Sequence, residues 1–184
     1  MDATTNPYWV RVIDTINRVL FSVAAVAILI LMVQVILDVG GRYFFNRPIA
    51  GTLELVTYWW MPIIVFLSLG WAQRRGEHIS VTLLTETLSE RLAKIVWTVG
   101  DIFGLIVIAM LTVFAWQGAA KSAGVHEASL GTAVILIWPI KIVAVIGLVS
   151  YLLQVVVTLY HRFRPEPEEV EEDLEAELMK VGIE

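Results

Sequence analysis

Four long apolar runs limit this chain to very few folds. Val19–Leu37 is broken only by Ser22 and Gln34, and residues 55–72, 102–120 and 142–160 contain no charged side chain. A helix needs roughly 17–25 residues to cross the hydrocarbon core of a bilayer, and each run has about that length. A soluble domain of 184 residues has no use for 58% hydrophobic residues arranged in blocks. The expected fold is therefore an all-α integral membrane protein with four transmembrane helices, at about residues 16–39, 53–72, 95–117 and 133–160. Residues 1–15 form an N-terminal interfacial segment in this division, and residues 163–184 a tail. Ala25-Val26-Ala27 imitates a signal-peptide cleavage site, but the apolar run continues about ten residues past it, which favours a span. Cysteine is absent, which removes disulfides and thiolate metal sites.

Charge sets the orientation. With the N-terminus cytoplasmic, the inner flanks hold Arg11, Arg18, Arg74, Arg75, Arg91, Lys94, Arg162 and Arg164. The outer flanks then hold only Arg42, Arg47 and Lys121. By the positive-inside rule both termini are expected in the cytoplasm. Trp9, Trp71 and Trp97 then fall near the inner boundary and Trp116 and Trp138 near the outer one, with Trp59 and Trp60 somewhat deeper. Their amphipathic rings suit headgroup depth and are expected to anchor the protein in membrane lipid.

The segments between the runs are polar. Between spans two and three, Leu84, Leu88, Leu92 and Ile95 recur at helical spacing, which predicts a surface-lying amphipathic segment. Pro62 interrupts span two and predicts a kink there. The end of the chain carries nine acidic groups against Lys180, which leaves the rest of the protein mildly basic. That tail is expected to be a solvated cytoplasmic segment, or a short docking helix with Val170, Leu174, Leu178 and Val181 on one face. Nothing in the charge pattern points to nucleic acid.

Charged groups near a bilayer each ask for a partner or for water. Asp38 and Arg42 pair at i,i+4 if the first helix continues through Gly40-Gly41; otherwise both simply end the span in water. Glu54 opens span two and is expected to meet Arg42 across the hairpin, with a proton-coupling role as the alternative. Asp101 lies in Gly100-Asp-Ile-Phe-Gly104, whose small-residue spacing permits close helix contact. Lys141 can snorkel or pair with a carboxylate of a neighbouring chain. His78 and His126 fall on opposite sides of the membrane, so they share no metal. No catalytic constellation, metal site or substrate site emerges from these positions.

Arg42, Tyr43, Asn46 and Glu54, followed by Gly70, Arg74, Arg75, His78, Ile79 and Val81, form an ordered set of short motifs. With Trp138-Pro139 opening span four, the pattern over residues 10–162 resembles the small membrane subunit, DctQ type, of tripartite ATP-independent periplasmic (TRAP) transporters. Thr82 stands where many members carry an aspartate, and Val145-Ile146-Gly147 where many carry Pro-x-Gly; the second departure implies a straighter fourth helix. The resemblance implies a non-catalytic scaffold in a bacterial inner membrane, without a cofactor of its own. It further implies a large DctM-type partner that carries an organic acid with sodium ions, and a periplasmic substrate-binding protein that delivers it. The alternative is a stand-alone membrane enzyme or proton-linked carrier using Glu54, Asp38 and Asp101.

Overall fold

A computed structural model describes residues 7–75, 90–131 and 133–163. It is all-helical apart from one isolated antiparallel bridge, and four helices are long and apolar enough to span a membrane. They are α1 (Tyr8–Phe45), α2 (Thr52–Arg74), α3 (Glu90–Gly124) and α4 (Trp138–Phe163). The expected amphipathic segment falls largely outside the described residues, as do His78, Thr82, the Trp97 side chain and the acidic tail.

α1 is much longer than its apolar run. No proline or glycine lies between Tyr8 and Val39, so nothing stops the helix before the expected start at residue 16. Gly40-Gly41 does not break it either, because in a bilayer the backbone must satisfy its own hydrogen bonds. α1 ends where Asn46 turns left-handed at φ 51° and its N–H points back to Gly41 O. α2 contains the expected irregularity at Pro62, in the form of a π-helical turn over Val56–Trp60. A proline lacks the N–H that would reach Tyr58 O, and its ring crowds that carbonyl. The chain relieves this by widening one turn, so that the Met61 N–H reaches Val56 O, five residues back.

α4 starts at Trp138 rather than near residue 133. The preceding residues fold back on themselves: Ala128 bridges Leu136, Ser129 N–H donates to Ile135 O at 2.8 Å, and Ile137 N–H to Glu127 O at 2.8 Å. This small hairpin uses the backbone donors that a helix would have needed.

α4 is the central helix, with 39% of its most apolar window buried against 0% of that in α3. It packs between α2 and α3, while α1 lies against α2 and touches α4. A Cβ on Gly147 would collide with the backbone carbonyl of Phe66, so α2 and α4 approach backbone to backbone at that point. Between helices in lipid, such contact carries the packing that water exclusion supplies elsewhere. The Gly100/Gly104 pair does not do this; a Cβ at either position would meet open space, so that face of α3 is turned away from the other described residues.

A buried polar cluster joins three helices. Asn17 Nδ2 donates to Gln154 Oε1 at 2.6 Å, and Ser150 Oγ donates to Asn17 Oδ1 at 2.7 Å. All three residues are buried, and the Asn17 amide lies so close to Gly70 that any side chain there would strike it. Near the same end, Arg74 pairs with Asp14 at 3.1 Å and Trp9 meets Tyr160 edge-on at 5.0 Å, so both ends of the described chain share one face of the bundle.

Candidate subunit-docking rim

The face opposite the termini is built from the end of α1, the α1–α2 turn and the α3–α4 hairpin. Its organising group is Asp38, which is buried. One carboxylate oxygen accepts from Arg42 Nε at 2.9 Å and the other from the Ile49 N–H at 2.8 Å. The first bond is possible because α1 continues through the two glycines, which keeps Asp38 and Arg42 one helical turn apart. The second pulls the loop back over the helix end. Thr52 Oγ donates to Ile49 O at 3.1 Å, and Gly51 adopts φ 85°, a left-handed turn that favours a residue without Cβ. Asn46 and Gly51 thus make the two sharp bends, and Asp38 holds the loop between them.

The hairpin before α4 closes onto this unit. Trp59 Nε1 donates to Leu136 O at 3.0 Å, and the Glu54 side chain lies against Gly131. Lys141 Nζ meets Glu127 Oε2 at 2.5 Å. The Arg42 contact defined by the structure is thus on its own helix, while Glu54 faces the second hairpin. Lys141 meets a carboxylate of its own chain, Glu127, one loop away. Around these bonds the rim exposes Tyr43, Phe44, Phe45, Leu53, Leu130 and Val134. It presents large apolar side chains around the hydrogen bonds of Asp38, Thr52, Trp59 and Lys141.

The other sequence-derived positions divide between exposed rings and internally bonded ones. Trp60 Nε1 donates to Gln34 Oε1 at 2.6 Å, so Trp59 and Trp60 both use their N–H inside the protein. Trp71 stacks on Phe21 at 5.5 Å and lies under the guanidinium groups of Arg74 and Arg75. Trp116 is exposed on α3, and Trp138 lies edge-on to His126 at 6.3 Å. Asp101 lies beside Tyr151 of α4. Sequence inspection passed over Asn17, Ser150, Gln154, Asp14 and Glu127. Their signal was polarity within or beside an apolar run, and only distance in space reveals the partners.

The hydrogen bond from Lys141 holds the Glu127 carboxyl below its ordinary value of 4.5. A group with a lowered folded-state pKa adds stability above its unfolded value and loses it as pH falls through the folded one. The melting temperature in detergent is therefore expected to drop more steeply below about pH 4.5 in the wild type than in Glu127→Gln. Superimposable acid limbs would show that the pair contributes nothing. The effect is small, because both side chains are partly exposed.

No curated protein matches the chain. Residues 31–165, which include the whole rim and the four-helix core from mid-α1 onward, match the family model for "Tripartite ATP-independent periplasmic transporters, DctQ component". The match covers well over half of the sequence and carries the resemblance drawn from its motifs: this chain belongs to the DctQ family.

Proposed function

We propose that the chain is the static small permease subunit of a sodium-coupled TRAP transporter that imports an organic acid delivered by a periplasmic substrate-binding protein. Its immediate partner is the large DctM-type subunit, which binds the sodium ions and the substrate. It works in the bacterial inner membrane with both termini in the cytoplasm, an orientation supported by the excess of arginine on the terminal face. The DctQ family is a transporter component and not an enzyme. Sodium coupling and the substrate class rest on what such subunits imply.

The observation that carries the scaffold reading is the division of the fold into a tightly packed centre and more exposed flanks. α2 and α4 are locked backbone to backbone, whereas α3 packs on α4 with no residue of its most apolar window fully buried by the described residues. A carrier would need ionisable groups lining a path, and Asp38 is instead committed to holding a loop. Affinity purification from membranes that co-express the candidate large subunit is the direct test. The two chains are expected to co-purify, and reconstituted transport to require both of them together with sodium and the binding protein. A small subunit that stays monodisperse alone and transports by itself in liposomes would overturn the proposal. The acid that thermally stabilises the cognate binding protein identifies the substrate.

A further inference from the structure

A groove of about 480 Å³ runs along the outer side of the α1–α2 contact, and it has a charge at only one end. Val19, Val23, Val26 and Ile30 of α1 form one wall, and Trp60 and Ile63 of α2 form the other. Ser22, the one hydroxyl in the lining, donates to Arg18 O within its own helix and offers the groove no free donor. The Trp60 N–H is likewise taken by Gln34. The interior is thus dry and has no polar requirement of its own. Arg18 stands at the end nearer the termini, exposed and without an ion pair to any described residue.

Length and charge identify the occupant. Arg18 and Ile30 are twelve helical steps apart, about 18 Å at 1.5 Å per residue. Half of the hydrocarbon core is about 15 Å, so the groove spans one leaflet from its headgroup boundary to the midplane. Arg11 lies two turns further out on the same face of α1 and is also exposed. Two guanidinium groups at headgroup depth, above a slot as long as an acyl chain, match a lipid with a negatively charged headgroup. A partner helix would be a poor fit, since it would have to bury Arg18, which has no ion pair with any described residue.

We infer that the α1–α2 groove is a binding site for an anionic phospholipid of the leaflet on the terminal side, with one acyl chain between Val26 and Ile63 and the phosphate on Arg18 and Arg11. The scaffold thereby carries a bound lipid as part of its own surface. The cytoplasmic identity of that leaflet rests on the proposed topology; the site itself does not.

Native mass spectrometry of the purified complex, with phosphatidylglycerol and phosphatidylethanolamine of identical chains added in competition, tests this. The wild type is expected to retain phosphatidylglycerol preferentially. Arg18→Gln and Arg11→Gln are each expected to reduce the preference about fivefold, from about 1 kcal/mol per surface arginine. Arg18→Lys is expected to keep it, and Val26→Trp, which fills the slot, is expected to reduce retention of both lipids alike. The inference is overturned by equal retention of the two lipids, or by arginine variants that leave the preference intact. Efficient cross-linking of Val26→Cys, the sole thiol of this chain, to the large subunit would also overturn it, since a protein helix would then fill the groove.

Discussion

Gly147→Leu is expected to abolish recovery of a folded, monodisperse protein. A Cβ at this position falls on the carbonyl carbon and oxygen of Phe66, which are backbone atoms and cannot rotate aside as a flexible side chain can. α2 and α4 would have to separate, and α4 is the helix that packs against both α2 and α3. The expected cost is about 3 kcal/mol, the upper end of the range for overpacking a well-filled contact. Gly147→Ala adds the same Cβ with nothing beyond it and is expected to lose less. Gly100→Leu and Gly104→Leu are the controls, because their side chains would enter open space and are expected to leave the chain's own stability near that of the wild type. Unfolding in a gradient of denaturing detergent, followed by size-exclusion profiles, separates the two groups. Equal behaviour of Gly147→Leu and Gly100→Leu would refute the backbone contact.

This contrast also shows what the sequence made legible and what it concealed. Both glycines of the Gly100/Gly104 pair fit a familiar spacing, yet a Cβ on either would meet no other described residue. Gly147 has no such companion, and it is where α2 and α4 meet backbone to backbone. Hydropathy depends on each residue's own transfer free energy, so it identified four spans without knowledge of their neighbours. The helix ends were less accessible because they depend on local bonding. α1 outruns its apolar stretch at both ends since nothing breaks it, and α4 starts late because a hairpin claims its first donors. The Asn17–Gln154–Ser150 cluster was invisible for a stronger reason. Asn17 lies more than 130 residues from both partners, and a lone amide at the edge of an apolar run looks like an interruption until its partner is placed beside it. The rim was half legible. Asp38, Arg42, Asn46 and Glu54 were all recognised, but the bonds among them follow from whether α1 continues through Gly40-Gly41, and propensity alone leaves that open.

That continuation makes Asp38, and not Glu54, the group on which the rim depends. Asp38→Ala is expected to destabilise the α1–α2 hairpin by about 1 kcal/mol, chiefly because the Ile49 N–H loses a charged acceptor at a part-buried site. Asp38→Asn keeps an acceptor for that N–H and is expected to be milder. Arg42→Ala is expected to cost less, about 0.5 kcal/mol, since its side chain is half-exposed and water can replace the ion pair. In a double-mutant cycle the coupling of Arg42 to Asp38 is expected to be of that same modest size and to exceed its coupling to Glu54. Unfolding of the purified subunit and recovery of the large subunit on affinity resin should fall together in Asp38→Ala. The Asp38 bonds position the loop that follows Tyr43, Phe44 and Phe45, and a displaced loop alters the surface offered to any partner. An Asp38→Ala protein with wild-type stability would remove Asp38 from this role. A stronger Arg42–Glu54 coupling than Arg42–Asp38 would return the hairpin lock to the glutamate. The predicted order follows from burial: the carboxylate that has lost its water is the one whose removal leaves a donor stranded, whereas the exposed guanidinium recovers its hydration.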